Sequence, residues 1–261
     1  MGDSVATSRP GTEALWLDLL ECQTELTLPL ELPHFYGSEA WMAAPAVLDL
    51  GAGPGYHLNA LARVFPKTAY VGVDEEPSYL TVARRGALPS TRFVHMDLFE
   101  AAGSYPCVLS RLVAQHLPSL PAFLDKVHGL LEPGGCFISI EPNDHLRTFY
   151  PALPAVQAVF AAYTNSRRDA GYDRHAGLTM GDLAPAHGLR VESAADVVVP
   201  SCLPGHKRLF ARFHEVVLRL FNEVFGVAFP ADDVARELRE WAADPHAYAQ
   251  LGIRLAVYRR A

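Results

Sequence analysis

Apolar and polar positions follow two different periods along this chain of 261 residues. Short apolar runs are typical of buried strands, and apolar residues three or four positions apart are typical of helices that face a core. The predicted strands cover 46–50, 69–74, 92–96, 106–110, 136–141, 189–199 and 253–258, with helices near 55–64, 77–86 and 120–131. This alternation predicts an α/β fold, in which a parallel sheet carries helices on both faces.

Two parts of the chain depart from that alternation. Residues 12–24 have helical spacing, and Pro29 and Pro33 are expected to break the chain after them. Further helical patterns with many aromatic residues occupy about 145–178 and 203–247. We therefore predict an N-terminal helical segment or lid at 1–45, and a domain at 46–261 into which 145–178 and 203–247 insert as a helical cap.

The composition and charge of the chain limit which molecules it is expected to bind. A net charge of −7, without any run of basic residues, argues against a nucleic-acid partner. The four cysteines form no C-x-x-C pair and no metal-ligand cluster with histidine, so we expect reduced thiols and no metal. The N-terminus lacks the regions of a signal peptide, and no apolar stretch is as long as a membrane span. The sequence thus predicts a cytoplasmic protein with no membrane partner.

The first predicted strand runs directly into a turn with three glycines, Gly51-Ala52-Gly53-Pro54-Gly55. Glycine allows positive φ and lets a ligand approach where a Cβ would clash. A strand that ends in such a turn presents backbone N–H groups and a helix N-terminus to a nucleotide-like ligand. A dinucleotide-binding turn, G-x-G-x-x-G, needs glycine at position 56, and Tyr56 stands there.

Polar residues also end the next strands. Asp74 and Glu75 follow the second, Asp97 and Leu98 the third, and Ser110 and Arg111 the fourth. Ligands of open α/β sheets bind at the carboxyl ends of the strands, so these positions belong to the expected site. A carboxylate at Asp74 could accept hydrogen bonds from ribose hydroxyls, while an aspartate at Asp97 could equally cap a loop.

Together with the turn Leu131-Glu132-Pro133-Gly134-Gly135, these motifs resemble those of the class I S-adenosylmethionine-dependent methyltransferases. The resemblance implies a Rossmann-like sheet of seven strands, the last of them antiparallel, with S-adenosylmethionine as cofactor and S-adenosylhomocysteine as product. It also implies positions for the cofactor. Its methionine and ribose would lie along Gly51, Ala52, Gly53 and Gly55, its ribose at Asp74 or Glu75, its adenine at Asp97 and the Leu98 N–H, and its methionine end near Ser110 and Arg111.

The acceptor side is less explicit. Transfer of a sulfonium methyl group needs an in-line nucleophile, and it needs a base only where the acceptor must lose a proton. His116 could be that base or a structural loop histidine, and Tyr36 could line the pocket or pack. The aromatic cap resembles those of bacterial specialised-metabolism methyltransferases, which implies a small-molecule acceptor with an oxygen, nitrogen or carbon nucleophile, such as an aromatic or indole-like compound. Whether the protein forms a homodimer stays open.

Two other interpretations compete with a methyltransferase. A nicotinamide-dependent oxidoreductase would use the glycine turn, but Tyr56 replaces its third glycine and Asp97 has no role in it. A noncatalytic protein could keep the fold and the cofactor site, although Asp74 and Asp97 argue for a working site.

Overall fold

A computed structural model describes residues 11–261 and gathers their strands into one eight-stranded sheet. The strands are β1 Ala46–Leu50, β2 Ala69–Asp74, β3 Thr91–His95, β4 Tyr105–Arg111, β5 Leu131–Pro142, β6 Thr148–Tyr150, β7 Leu189–Pro200 and β8 Tyr248–Arg260. All seven predicted strands are present, with β5 and β8 longer than expected. Sequence reasoning missed β6, because three residues are too few to show a period of two.

The sheet order is β3-β2-β1-β4-β5-β8-β6, and β7 pairs with β8. Neighbours from β3 to β5 run parallel, whereas β8 is antiparallel to β5, β6 and β7. The predicted parallel sheet with a final antiparallel strand is therefore confirmed. The carboxyl ends of β1 to β4 lie at one edge, where their loops can surround a ligand.

The helices of residues 11–261 are α1 Glu13–Gly37, α2 Glu39–Ala43, α3 Tyr56–Val64, α4 Pro77–Arg85, α5 Leu120–Leu130, α6 Pro154–Asp169, α7 Ala176–Leu183, α8 His206–Glu223 and α9 Ala231–Ala243. The predicted break at Pro29 and Pro33 is wrong, because α1 runs through both. Each proline removes a backbone donor. Buried packing outweighs that loss, since Leu26 and Phe35 are almost inaccessible.

Three apolar clusters form the core. One contains Phe35, Trp41 and side chains of α3 and α4 on one face of the sheet, and a second contains side chains of α5 and α7 on the other. The third joins α1 to α6, α8 and α9, and so lies in the segments predicted as lid and cap. The division at residue 45 stays a prediction, and residues 1–10 of the predicted N-terminal segment lie outside the described residues. None of the helices in residues 11–261 combines the length and apolar character needed to cross a membrane.

Candidate functional site

A cavity of about 550 Å³ lies over the carboxyl ends of β1, β2, β3 and β4. Its volume falls within the range of small-molecule sites, about 300–1,000 Å³. Trp16 and Leu20 of α1 close one side, and Tyr172, from the loop between α6 and α7, closes another. Elements far apart in the sequence therefore enclose one space above the strand ends.

The glycine turn forms the floor of this cavity. Gly51 and Gly53 have φ of +76° and +54°, and both line it. The N–H groups of Gly51 and Ala52 both donate to the Val73 carbonyl at 2.9 Å, which ties the turn to β2. A Cβ on Gly51 would overlap a methyl carbon of Val113, whereas one on Gly53 would meet nothing closer than 3.9 Å. The turn thus needs glycine at 51 for fit and leaves open space beside 53.

Gly55 and Ala52 do not line the cavity. Gly55 has φ of +72°, and a Cβ there would come within 2.7 Å of the Phe93 ring. The Cβ of Ala52 lies close against Gly72, since a Cβ added to Gly72 would be only 2.7 Å from it. Both residues pack the turn against β2 and β3, so any effect on a ligand is indirect.

Carboxylates gather at the β2–β3 end of the cavity. Asp74 accepts the Gly53 N–H through Oδ2 at 2.7 Å and the Glu76 N–H through Oδ1 at 2.9 Å. Burial raises the pKa of Asp74. The pKa of the exposed Glu75 is also raised, first by partial burial and then by the charges of Asp97 and Asp74. Asp97 accepts the Phe99 N–H at 2.8 Å, so it does cap the loop. Each oxygen of Asp74 keeps a free lone pair, because each accepts only one of these bonds.

Arg111 lies at the other end, held by α1. Its Nε is 3.2 Å from Glu31 Oε1, and its Nη2 donates to Thr27 Oγ1 at 2.7 Å. Glu31 Oε2 is also 2.6 Å from His57 Nε2. Burial raises the pKa of Glu31, but Arg111 and His57 outweigh it and bring that pKa down to about 2. The bonds to Glu31 and Thr27 use Nε and Nη2 of Arg111, so Nη1 has no protein partner in residues 11–261. Arg111 also lines the cavity.

Two further predicted site residues, Ser110 and Tyr36, do not contact this cavity. Ser110 is fully buried in β4, and its hydroxyl has no hydrogen-bond partner within residues 11–261. Tyr36 is 56% exposed, and its ring packs 5.0 Å from that of Phe65, at the far end of α3 from the glycine turn. The structure therefore supports only a packing role for Tyr36.

His116 does line the cavity, in the short 3-10 helix Ala114–His116 after β4. Burial, followed by the charges of Arg174 and Arg167, lowers its pKa to about 3. Glu141, at the end of β5, fixes this loop by accepting the N–H groups of Val113 and Ala114 at 3.1 and 2.9 Å. The imidazole of His116 is consequently neutral at ordinary pH, and the loop that carries it is held in place.

Several residues of the site escaped sequence reasoning. Glu141 could have been found, because it ends a strand in the same way as Asp74. Leu112 lines the cavity with φ of +60°, a left-handed conformation rare for leucine that no sequence pattern indicates. Trp16 comes from α1, whose position depends on how the cap helices pack, and Tyr172 was one of several cap residues that the sequence alone could not tell apart. No cluster of three or more His, Cys, Asp or Glu in residues 11–261 could hold a metal.

The sequence matches a family model described as a methyltransferase domain over residues 47–135, which contain the glycine turn, Asp74 and Asp97. Trans-aconitate 2-methyltransferase of Methylobacterium nodulans is 35% identical over 108 residues, 40% of this chain and 41% of that protein. The match to this curated relative therefore spans less than half of its length.

Two solved structures share the fold over nearly all of the chain. Phosphoethanolamine N-methyltransferase 2 of Haemonchus contortus, in complex with phosphomonomethylethanolamine and S-adenosylhomocysteine, has a TM-score of 0.59 at 15% identity, over 99% of this chain and 59% of that one. The [4+2]-cyclase SpnF has a TM-score of 0.52 at 14% identity, over 99% and 85%. The Rossmann-like sheet is thereby confirmed. Residues 47–135 thus match a methyltransferase domain, and the chain shares the fold of a solved methyltransferase structure that holds S-adenosylhomocysteine.

Proposed function

We propose that this protein transfers a methyl group from S-adenosylmethionine to a small-molecule acceptor held beneath the cap. One observation carries the proposal: a single cavity joins the glycine turn and its carboxylates to a second end, at His116 and Tyr172, that is open to another molecule. The curated relatives in the comparison include trans-aconitate 2-methyltransferase, which supports a small acceptor. A nicotinamide cofactor lacks support, because Tyr56 begins α3 where the third glycine would stand.

The residues present fit the cofactor. Asp74 and Glu75 would accept the ribose hydroxyls, and Asp97 with the Leu98 N–H would meet adenine, since carboxylates and an exposed loop line that end. Gly53 would let the ligand approach the backbone, Gly51 would keep the shape of the turn beneath it, and Nη1 of Arg111 would face the cofactor's carboxylate. Ala52, Gly55 and Ser110 would act only by packing.

The chain's own contribution to the reaction is mainly positional. The bound cofactor supplies a sulfonium methyl group; the acceptor's nucleophile forms a bond to that carbon while the S–CH3 electron pair stays on sulfur. Alignment of both partners can lower the barrier by roughly 7–11 kcal/mol. His116, neutral because of its low pKa, would orient the acceptor by hydrogen bonding. It would hold the acceptor's proton only transiently and pass it on to water.

Several wider expectations remain part of the proposal. The acceptor would be an oxygen, nitrogen or carbon nucleophile of specialised metabolism, and the protein would act in the cytoplasm without a nucleic-acid partner, given its net charge of −7. Size-exclusion chromatography with light scattering would decide between a monomer and a homodimer.

Calorimetry tests the cofactor first. We expect S-adenosylhomocysteine to bind and NAD not to bind; tighter binding of NAD would contradict the proposal. A screen of small-molecule acceptors for S-adenosylhomocysteine release then tests the transfer. Cofactor binding without release from any acceptor would favour a noncatalytic role, or another reaction on this fold, as the neighbour named as a [4+2]-cyclase illustrates.

A further inference from the structure

Two arginines of the cap, Arg174 and Arg167, act electrostatically on His116 in the wall of the cavity. Asp144 pairs with Arg147 at 2.5 Å and with Arg174 at 2.9 Å. Burial raises the pKa of Asp144, but the two guanidinium groups outweigh it and bring the pKa to about 2. Asp144 is thus ionised, but it already pairs with two arginines. Arg167, the third arginine of this region, does not pair with it.

Arg167 has no carboxylate of its own in the described part of the chain. No acidic side chain of residues 11–261 forms an ion pair with it, and its Nε and Nη2 are inaccessible and lack hydrogen-bond partners there. Its guanidinium carbon lies 3.9 Å from the centre of the Tyr172 ring and 5.1 Å from that of Phe225. Aromatic faces attract a cation, but they do not replace an anion. Inaccessible guanidinium nitrogens without a hydrogen-bond partner are costly, and this cost indicates a ligand.

This charge adjoins the cavity. Tyr172, which covers Arg167, also lines the cavity, and the charge of Arg167 acts on His116 in the same wall. The opposite end carries Asp74, Glu75 and Asp97, so the two ends have opposite charge. A ligand with a cationic or hydroxyl-bearing part and an anionic part would match both ends.

Helix geometry alone does not explain Arg167. A basic residue in the last turn of a helix interacts favourably with the helix dipole, and both Arg167 and Arg168 lie in the last turn of α6. Arg168 fills that role from the surface, where its side chain is 70% exposed and lies 3.5 Å from Asp169. Of the two, Arg167 is the one that turns inward, against the wall of the cavity.

Glu141 does not supply the missing anion either. Its Oε1 is taken by the Val113 and Ala114 N–H groups, and it does not pair with Arg167. We propose that the methyl acceptor itself carries an anionic group, a carboxylate or a phosphate, which binds at the His116–Tyr172 end of the cavity opposite Arg167. The Tyr172 ring then lies between cavity and cation and moves aside as the anion contacts the guanidinium. This inference rests on the proposed function.

Binding of simple anions tests it without knowledge of the acceptor. Succinate, inorganic phosphate and the neutral, similarly shaped succinamide are titrated into protein saturated with S-adenosylhomocysteine, at constant ionic strength. We expect one of the anions to bind at least about tenfold more tightly than succinamide, because hydrogen bonds to a charged pair are the stronger ones. Preference for succinate or for phosphate shows which anionic group the site takes.

Variants locate the effect. Arg167→Gln should lose the preference for the anion and leave affinity for S-adenosylhomocysteine within about twofold, while Arg168→Gln, the matched control, keeps both. Equal binding of succinate and succinamide, absence of anion binding at millimolar concentration, or an unchanged preference in Arg167→Gln would overturn the inference. Should Arg167→Gln fail to fold, the wild-type comparison still decides. Failure of S-adenosylhomocysteine to bind would instead contradict the proposed function, and the anion titration can be repeated without it.

Discussion

The two ends of the cavity are formed by different kinds of structural element. At the β2–β3 end, backbone N–H groups and carboxylates project from consecutive strand ends, and hydrogen bonds such as Gly53 N–H to Asp74 fix them. At the His116–Tyr172 end, the walls come from α1, the loop after β4 and the loop between α6 and α7. One end therefore depends on sheet register, and the other on the packing of helices that are distant in sequence.

Their charges differ in the same way. The sheet end is acidic, and its carboxylates have free lone pairs for a ligand's donors. The cap end is cationic, with Arg167 unpaired within residues 11–261 and His116 kept neutral by burial and by neighbouring guanidinium groups. The sheet end is suited to a constant ligand, whereas the cap end can change its specificity through a few side chains without disturbing the sheet.

Gly51→Ala should have the largest effect, and it should be confined to the sheet end. The residue has φ of +76°, and its new Cβ would overlap the Val113 side chain. Left-handed strain costs about 1–3 kcal/mol, and with the clash we expect affinity for S-adenosylhomocysteine to fall by about a hundredfold in calorimetry. Gly129→Ala is the control, because a Cβ there meets nothing within 4 Å. Equal affinities for the two variants would show that the turn does not contact the cofactor.

Glu141→Gln examines the junction between the two ends. Burial raises the pKa of Glu141 to about 7, so the folded protein holds a proton that the unfolded chain releases above about pH 4.5. Stability from this group is full below that pH and is lost as the pH rises through about 7. The shift corresponds to about 3 kcal/mol. We expect the free energy of unfolding of Glu141→Gln, relative to the wild type, to rise by up to about that amount between about pH 5 and pH 8.

Urea denaturation at both pH values measures this difference. A constant difference would show that Glu141 does not titrate in this range. Above about pH 7, where Glu141 is ionised, methyl transfer is expected to fall as well, since the amide of the Glu141→Gln variant would hold the loop of His116 through neutral hydrogen bonds, which are weaker than those to a carboxylate.

What the sequence predicted follows the same division. Gly51, Asp74 and Asp97 could be named as candidates, and they line the cavity, because a strand end carries its own local pattern of apolar residues, glycine and acid. The break at Pro29 was wrong because long-range contacts of Leu26, Glu31 and Phe35 hold α1 together, and for Tyr36 the sequence leaves pocket lining and packing as open alternatives. Arg167 could not be assigned, since its importance lies in the absence of a partner among the residues packed around it in the described structure.

Asp74→Ala should have the next largest effect on cofactor affinity, again at the sheet end. The substitution removes acceptors for the Gly53 and Glu76 N–H groups and for the ribose. Hydrogen bonds to a charged group are worth about 1.5–3 kcal/mol, so affinity for S-adenosylhomocysteine should fall at least about tenfold. Glu75→Ala tests the neighbouring carboxylate, and Glu100→Ala, which is exposed and outside the cavity, is the control. A larger loss in Glu75→Ala would assign the ribose to Glu75.

His116→Ala should have the smallest effect, and it belongs to the cap end alone. We expect kcat to fall by about tenfold, the weight of one oriented hydrogen bond, with affinity for S-adenosylhomocysteine unchanged. His246→Ala, at an exposed position, is the control. The pKa of about 3 adds a second expectation, because a ring that stays neutral gives no inflection in kcat between about pH 5 and pH 8. An inflection near pH 6.5 in the wild type that disappears in His116→Ala would show instead a titrating base, and the cap end would then control proton transfer as well as acceptor position.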